Sequence, residues 1–164
     1  MIIIGIDPGI AIMGIGVIKY EGNSFKPIYY NAIKTSSKTP TDQRLRIIYE
    51  ELSKLLDTYK PNVIAIEELF FNNNSKTAFI VGQARGVAIL SAANRNIPVY
   101  EYTPLQVKQG VVGYGRADKK QVQQMIKTLL CLKTVPKPDD VADALAVAIC
   151  HGHSGNFSDL FKIK

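Results

Sequence analysis

The sequence predicts an α/β domain built on a five-stranded mixed sheet flanked by helices. Two uninterrupted apolar runs, residues 2–7 and 62–67, each end in an acid, and a helical pattern separates them. Buried parallel strands are typically near-continuous apolar runs, and a helical crossover between two such strands is typical of a parallel βαβ unit. With 164 residues and 46% hydrophobic content, the chain has the size of one compact domain.

Three strands come first in the chain. The run over residues 2–7 stops at Pro8-Gly9, because proline fixes its own φ and glycine accepts a positive φ. Residues 14–20 and 27–35 are predicted as the second and third strands. Their short connections favour antiparallel neighbours.

Helices and strands alternate in the rest of the chain. Thr41 is a candidate N-cap for an amphipathic helix that runs to about Tyr59. The fourth and fifth strands are predicted over 62–67 and 98–102, and further helices over 75–94, 104–111, 119–131 and 139–151. We therefore expect a single domain over 1–153 and a weakly ordered tail over 154–164.

Charge and cysteine content narrow the possible functions. The formal net charge of +6 and the pI of about 9.3 favour attraction to polyanions. Cys131 and Cys150 lack CxxC spacing, so neither a disulfide framework nor a zinc site is indicated. The chain contains no signal-peptide pattern and no apolar run long enough to cross a bilayer, which predicts a cytoplasmic protein.

Acids occur where the predicted elements converge. If the first and fourth strands are parallel neighbours, Asp7 and Glu67 lie side by side at the carboxyl edge of the sheet, where open α/β sheets bind ligands. Glu67 rather than Glu68 is the inward candidate, because consecutive strand residues point to opposite faces. The first turn of the last helix adds three acids, of which two share a face: Asp139, Asp140 and Asp143.

Such a set of carboxylates predicts metal-assisted hydrolysis of a nucleic acid. Like charges raise one another's pKa, so four neighbouring acids could not all stay ionised alone. Mg²⁺ prefers hard oxygen ligands, and two ions about 3.5 to 4 Å apart would clamp the attacking water and the leaving oxygen of a phosphodiester. Each acid alone also has a simpler interpretation, as a turn residue, a solvated strand end or a helix cap.

Basic and aromatic residues lie near these acids in the sequence. The densest basic block comprises one arginine and three lysines: Arg116, Lys119, Lys120 and Lys127. It is either a solvated face or a contact with the phosphate backbone of a nucleic acid. Phe70 and Phe71 follow the fourth strand in a polar loop, where an exposed aromatic ring could stack on a base. Burial in the core is the alternative, and we favour it for Phe71.

Five motifs together resemble the RuvC family of Holliday-junction resolvases, over residues 1–153. The motifs are GIDPG (5–9), AIEELFF (65–71), GQARGVA (82–88), VKQGVVGYGRADKKQV (107–122) and DDVADALAVAICH (139–151). The resemblance implies a ribonuclease-H-like fold and a homodimer that acts on four-way DNA junctions. It also implies paired symmetric nicks made by metal-activated water, a role in homologous recombination and DNA repair, and a branch-migration complex as a further partner.

The resemblance assigns roles to individual residues. The catalytic, metal-binding carboxylates fall on Asp7, Glu67, Asp140 and Asp143. Asp139 is then left as an N-terminal cap. The expected DNA contacts fall on Phe70, Lys108 and Lys119. The chain departs from the family pattern after DPG, where Ile10 and Ala11 replace the polar or basic residue that members commonly carry.

Several alternatives stay open at the level of sequence. Ala78, Gly82 and Gly86 recur at four-residue spacing, which would let a helix approach either its symmetry mate or the sheet of its own chain. A non-catalytic junction-binding module would lack the acids, and an actin-like phosphotransferase would need a second lobe for its nucleotide. A ribonuclease of the same fold class is the nearest alternative enzyme.

Overall fold

A central five-stranded sheet organises the chain. The computed structural model describes residues 1–69 and 75–163. Its strands are β1 (Ile2–Asp7), β2 (Ile12–Glu21), β3 (Ser24–Lys34), β4 (Val63–Glu67) and β5 (Val99–Tyr102). The sheet order is β3-β2-β1-β4-β5, with β1 antiparallel to β2 and parallel to β4. The β2–β3 pair is antiparallel and the β4–β5 pair is parallel, so the predicted mixed sheet is confirmed.

Helices cover both faces of this sheet. They are α1 (Thr41–Tyr59), α2 (Ser75–Ala93), α3 (Pro104–Val112), α4 (Lys119–Leu129) and α5 (Asp139–Ser154). One apolar core joins α1 and α2 to the sheet, and a second joins α3, α4 and α5 to its other face. Every predicted helix and strand is present, with bounds that differ by three residues at most. Thr41 is the first helical residue rather than the N-cap, a position that Pro40 takes, so that cap prediction was wrong.

Strand alternation decides which face each side chain of β1 occupies. Ile4 and Ile6 belong to the core beneath α1 and α2, whereas Ile3 belongs to the core beneath α5. Because side chains alternate along a strand, Gly5 and Asp7 share the face of Ile3. The acid at the end of β1 therefore lies on the side of the sheet that α5 covers.

Glycines allow α5 to lie directly on the sheet. A Cβ atom on Gly5 would lie 1.9 Å from the carbonyl oxygen of Ala144, and one on Gly14 would lie 1.9 Å from that of Asp140. Side chains at these positions would force the helix away, since no Cβ can approach a carbonyl oxygen so closely. Gly14 is also the antiparallel partner of Asp7. The first turn of α5 is thus held against the end of β1.

The chain ends against the edge strand β5. A 3₁₀ helix, Gly155–Phe161, follows α5, and the ring of Phe161 packs 5.0 Å from that of Tyr102. Lys162 then forms an isolated antiparallel bridge with Tyr100, and the Ile163 amide donates to the Val99 carbonyl oxygen at 3.0 Å. The weak order predicted for 154–164, and the domain boundary at 153, stay predictions.

Among the described residues, no helix is both long enough and apolar enough to span a membrane.

Candidate active site

Asp7 and Glu67 lie side by side at the carboxyl edge of the sheet. β1 and β4 are parallel and in register from Ile3–Val63 to Ile6–Ile66, which brings the two terminal acids level with each other. The charge of Glu67 is the largest of the neighbouring charges that raise the pKa of Asp7. The predicted convergence of these two strand-end acids is therefore present in the structure.

The other two acids come from the first turn of α5. Asp140 and Asp143 are half-buried, and the negative charges of both raise the pKa of Asp7. Their position follows from the close approach of α5 to Gly14, which seats the Asp140 backbone on the strand beside Asp7. All four predicted catalytic carboxylates thus lie in one cluster, although three separate segments supply them.

The cluster is costly to ionise. Burial, followed by the charges of Glu67, Asp143 and Asp140, raises the pKa of Asp7 from 3.8 to about 8. Burial also raises the pKa values of Glu67 and Asp143, and Asp143 adds its charge to the shift at Glu67. Such shifts mean that folding brings these acids together against their mutual repulsion. We expect groups held at this cost to serve a function rather than stability.

The arrangement fits a divalent cation by its chemistry, but it is not a preformed coordination shell. Among residues 1–69 and 75–163, no three His, Cys, Asp or Glu side chains surround a common point at metal-binding distance. Asp7 instead faces Glu67, and Asp143 faces a lysine. Carboxylate oxygens crowded at raised pKa are nevertheless the donors that a hard cation such as Mg²⁺ favours and whose repulsion it relieves. The role of the four acids as metal ligands stays a prediction.

Two lysines flank the acids in a single cleft. Lys108 of α3 and Lys119 of α4 line a cleft of about 270 Å³ together with Glu67 and Asp143. The Nζ atom of Lys119 lies 3.1 Å from Asp143 Oδ2. Partial burial lowers the pKa of Lys119, but hydrogen bonds to Asp143 and Asp139 outweigh this and raise it. The two lysines predicted to contact DNA therefore both lie beside the acid cluster.

Two capping boxes orient the helices that carry these lysines. The Thr103 side chain accepts from the Gln106 amide and the Gln106 side chain accepts from the Thr103 amide at the start of α3. Asp118 and Gln121 form the same pair of bonds at the start of α4, next to Lys119. We did not predict either box, although the spacings TxxQ and DxxQ could have revealed both.

Asp139 does not cap α5. Pro138 occupies the N-cap position, and in the part of the chain that the structure describes α5 has no side-chain cap. The Asp139 carboxylate instead lies 2.7 Å from Lys137 Nζ and 3.3 Å from Lys119 Nζ. The predicted cap was wrong because two ammonium groups, one of them distant in sequence, compete for this carboxylate.

The two histidines of α5 are engaged away from the acids. His151 is 4% exposed, its Nδ1 lies 2.7 Å from the Tyr102 hydroxyl, and burial lowers its pKa to about 4. His153 Nδ1 lies 2.7 Å from the Gly110 carbonyl oxygen. Both histidines connect α5 to neighbouring elements.

Two further sequence predictions concern residues that follow β1 and β4 in the chain. Phe70, the predicted aromatic DNA contact, and Phe71 lie outside the described residues. Ile10 is 9% exposed and belongs to the core beneath α1 and α2. Ile10, one of the two residues that depart from the family pattern, therefore packs in the core.

Comparisons with known proteins agree over nearly the whole chain. The family model described as "Crossover junction endodeoxyribonuclease RuvC" matches residues 3–151. A protein of that name from Alkaliphilus oremlandii is 68% identical over 164 residues, which is 100% of both chains.

Solved structures give the same result for the fold. A Thermus thermophilus RuvC structure aligns with a TM-score of 0.90 and 35% identity, covering 99% of this chain and 98% of that one. A Thermus thermophilus RuvC in complex with Holliday junction substrate aligns with a TM-score of 0.91 and 33% identity, covering 99% and 100%. These matches confirm the predicted ribonuclease-H-like fold.

Proposed function

The chain belongs to the RuvC family of crossover junction endodeoxyribonucleases, and we propose on this basis that it resolves four-way DNA junctions. Resolution here means one nick in each of two opposed strands, placed symmetrically, in homologous recombination and DNA repair. The observation that carries the proposal is the cluster of Asp7, Glu67, Asp140 and Asp143 beside a lysine-lined cleft. A junction-binding module without catalysis would have no use for acids held together at such cost.

We propose that the reaction depends on Mg²⁺, with Mn²⁺ as a possible substitute. Asp7, Glu67, Asp140 and Asp143 would hold the metal, two ions in each active site. When bound, the metal supplies a nucleophilic water at neutral pH and neutralises charge at the scissile phosphate. The carboxylates would hold the metal on rigid elements, since two lie at strand ends and two on a helix packed against the sheet.

The basic residues would bind the DNA backbone. Lys108 and Lys119 line the cleft beside the acids, and they are suited to hold phosphates on either side of the scissile bond. The net charge of +6 adds a longer-range attraction. Phosphate contacts of this kind release counterions, so we expect the affinity for junctions to fall steeply with salt. Phe70 would stack on an unpaired base near the strand exchange point.

A synthetic four-way junction, labelled on each strand in turn, tests the activity. With Mg²⁺, we expect two nicks at symmetric positions, whereas a linear duplex and an RNA/DNA hybrid stay intact. An Asp7→Asn variant should bind the junction, because the lysines are unchanged, and should cut at least about 100-fold more slowly. Asp42→Asn, an exposed acid in the first turn of α1, is the control. An intact junction with the wild-type protein, or preferred cleavage of the hybrid, would contradict the proposal.

We propose further that two copies form a homodimer through the outer face of α2. The inner face packs on the sheet through Ala84, Ala88 and Ala92. The outer face exposes Phe79 and Leu90, at 70% and 53%.

Glycines make this outer face of α2 open to a partner helix. Within the described residues, a Cβ on Gly86 would have no atom within 4 Å. Among the described residues, a Cβ on Gly82 would meet only the Leu69 side chain, at 3.7 Å. The open space beside both glycines favours the approach of a symmetry mate over close packing on the sheet of the same chain. A two-fold axis through such a face would give two matched active sites for paired nicks.

Light scattering at micromolar concentration tests the dimer. We expect a dimer for the wild type and for Leu160→Glu, a control that places the same charge on a side chain 78% exposed in the 3₁₀ helix. Leu90→Glu should be monomeric, because it buries two charges at the proposed interface. A monomeric wild type, or a Leu90→Glu dimer, would contradict this surface. A branch-migration complex stays a further proposed partner.

A further inference from the structure

Four charged side chains alternate in sign at the edge of the acid cluster. Lys137 Nζ lies 2.7 Å from Asp139 Oδ1, and Lys119 Nζ lies 3.3 Å from Asp139 Oδ2. The same Lys119 Nζ lies 3.1 Å from Asp143 Oδ2. Lys119 is thus held between two acids, and each oxygen of Asp139 has its own ammonium group.

Asp139 and Asp143 differ in what else they contact. Asp143 belongs to the cluster, since its charge raises the pKa values of Asp7 and Glu67. Asp139 is more exposed, with a side-chain accessibility of 42% against 31% for Asp143. Both of its carboxylate oxygens contact lysines, and its charge also raises the pKa of Asp143. Asp143 therefore belongs to the cluster, whereas the ion pairs of Asp139 are with Lys119 and Lys137.

We propose that Asp139 is a positioning residue that fixes the Lys119 ammonium over the mouth of the active-site cleft. The inference rests on the proposed function, because it assigns Lys119 to a phosphate of the bound DNA. An ammonium held by Asp143 alone would be drawn onto an acid that the reaction needs. Asp139 adds a second carboxylate one helical turn before Asp143, and Lys137 satisfies the other oxygen of Asp139.

Fixing the Lys119 side chain should affect both phosphate binding and the cleavage rate. A lysine side chain has four rotatable bonds and loses substantial rotamer freedom when fixed, so a preset position lowers the cost of binding a phosphate. An acid near a DNA groove otherwise acts by repulsion, and its removal should tighten binding and leave the cleavage rate unchanged or increased. The positioning role predicts a different outcome, in which binding is retained or tighter while cleavage slows.

Single-turnover cleavage of a four-way junction at saturating protein separates these cases. We expect Asp139→Asn to cut roughly three- to tenfold more slowly than wild type, with unchanged or tighter junction binding in EDTA. Asp42→Asn makes the same chemical change in the first turn of α1 and should cut at the wild-type rate. In a Lys119→Met background, Asp139→Asn should have no further effect, because the residue acts through Lys119.

A second measurement does not depend on cleavage. An NMR spectrum of ¹⁵N-lysine side chains should show an ordered Lys119 ammonium signal, identified by its loss in Lys119→Met, that broadens or disappears in Asp139→Asn. An unchanged signal, or wild-type cleavage by Asp139→Asn, would overturn the inference. Failure of the wild type to cut junctions would instead contradict the proposed function, and the NMR comparison would still test the role of Asp139.

Discussion

The acidic and basic parts of the candidate site are held in place by different means. The acids depend on tertiary packing: Asp7 and Glu67 end adjacent parallel strands, and α5 rests on glycines that admit its backbone. The helices that carry the lysines begin with local structure, since a capping box starts each of them. The comparison shows that core packing holds the mutually repelling acids together. The basic groups around them can be changed by substitutions at the surface.

The largest effect is expected where the acidic part meets the core. Gly5→Ala would place a methyl group 1.9 Å from the Ala144 carbonyl oxygen, in a backbone that cannot move without shifting α5. We expect a loss of more than about 4 kcal/mol in the free energy of unfolding, or no folded protein. Urea unfolding followed by circular dichroism measures it. Both variants are compared in the Leu90→Glu background, which removes the proposed interface; there Gly86→Ala adds the same methyl group in open space and serves as the control, and equal stability of the two variants would contradict this role of Gly5.

A smaller effect of opposite sign is expected within the acid cluster. Asp7 has a pKa raised to about 8 in the folded state, so the folded protein binds a proton that the unfolded chain releases above pH 4. The stability of the wild type should therefore fall as the pH rises from 4 to 8. Asp7→Asn removes this term and should raise the free energy of unfolding by roughly 2 kcal/mol at pH 8 in EDTA.

Thermal unfolding across this pH range checks the Asp7 prediction. The pH dependence should be weaker in Asp7→Asn than in wild type. Added Mg²⁺ should raise the melting temperature of the wild type more than that of the variant, because binding stabilises only a folded site. A variant less stable than wild type at pH 8 would show that Asp7 contributes to stability rather than opposing it.

The smallest effects are expected in the basic part. Asp118→Ala and Thr103→Ala each remove a capping box and should cost about 1 kcal/mol of stability. Asp118→Ala should also weaken junction binding, since Lys119 occupies the first position of α4. Thr128→Ala is the control. The Thr128 hydroxyl donates to the Gln124 carbonyl oxygen inside α4, and its removal should leave the stability unchanged or increase it. Equal losses in all three variants would argue against a special role for the boxes.

The sequence predicted the positions of the acids better than the tertiary contacts around them. Residues 2–7 and 63–67 form buried strands, as their apolar runs predict, and strand alternation predicts the direction of the terminal acids. The direct contact of Gly5 and Gly14 with α5 could not be predicted, because it joins segments more than 120 residues apart. Of the two partners of Asp139, Lys137 lies only two residues away, whereas Lys119 could not be predicted because it comes from another helix.

The segment that follows α5 affects whether separate molecules can associate through the edges of their sheets. An edge strand offers unpaired amide and carbonyl groups to any neighbouring chain, and proteins protect such edges against aggregation. Here Lys162 and Ile163 pair with the outer side of β5. The opposite edge, β3, carries Pro27 within the strand, with a register irregularity opposite it between Val17 and Ile18. Each border of the sheet thus has its own protection against adding strands from another molecule.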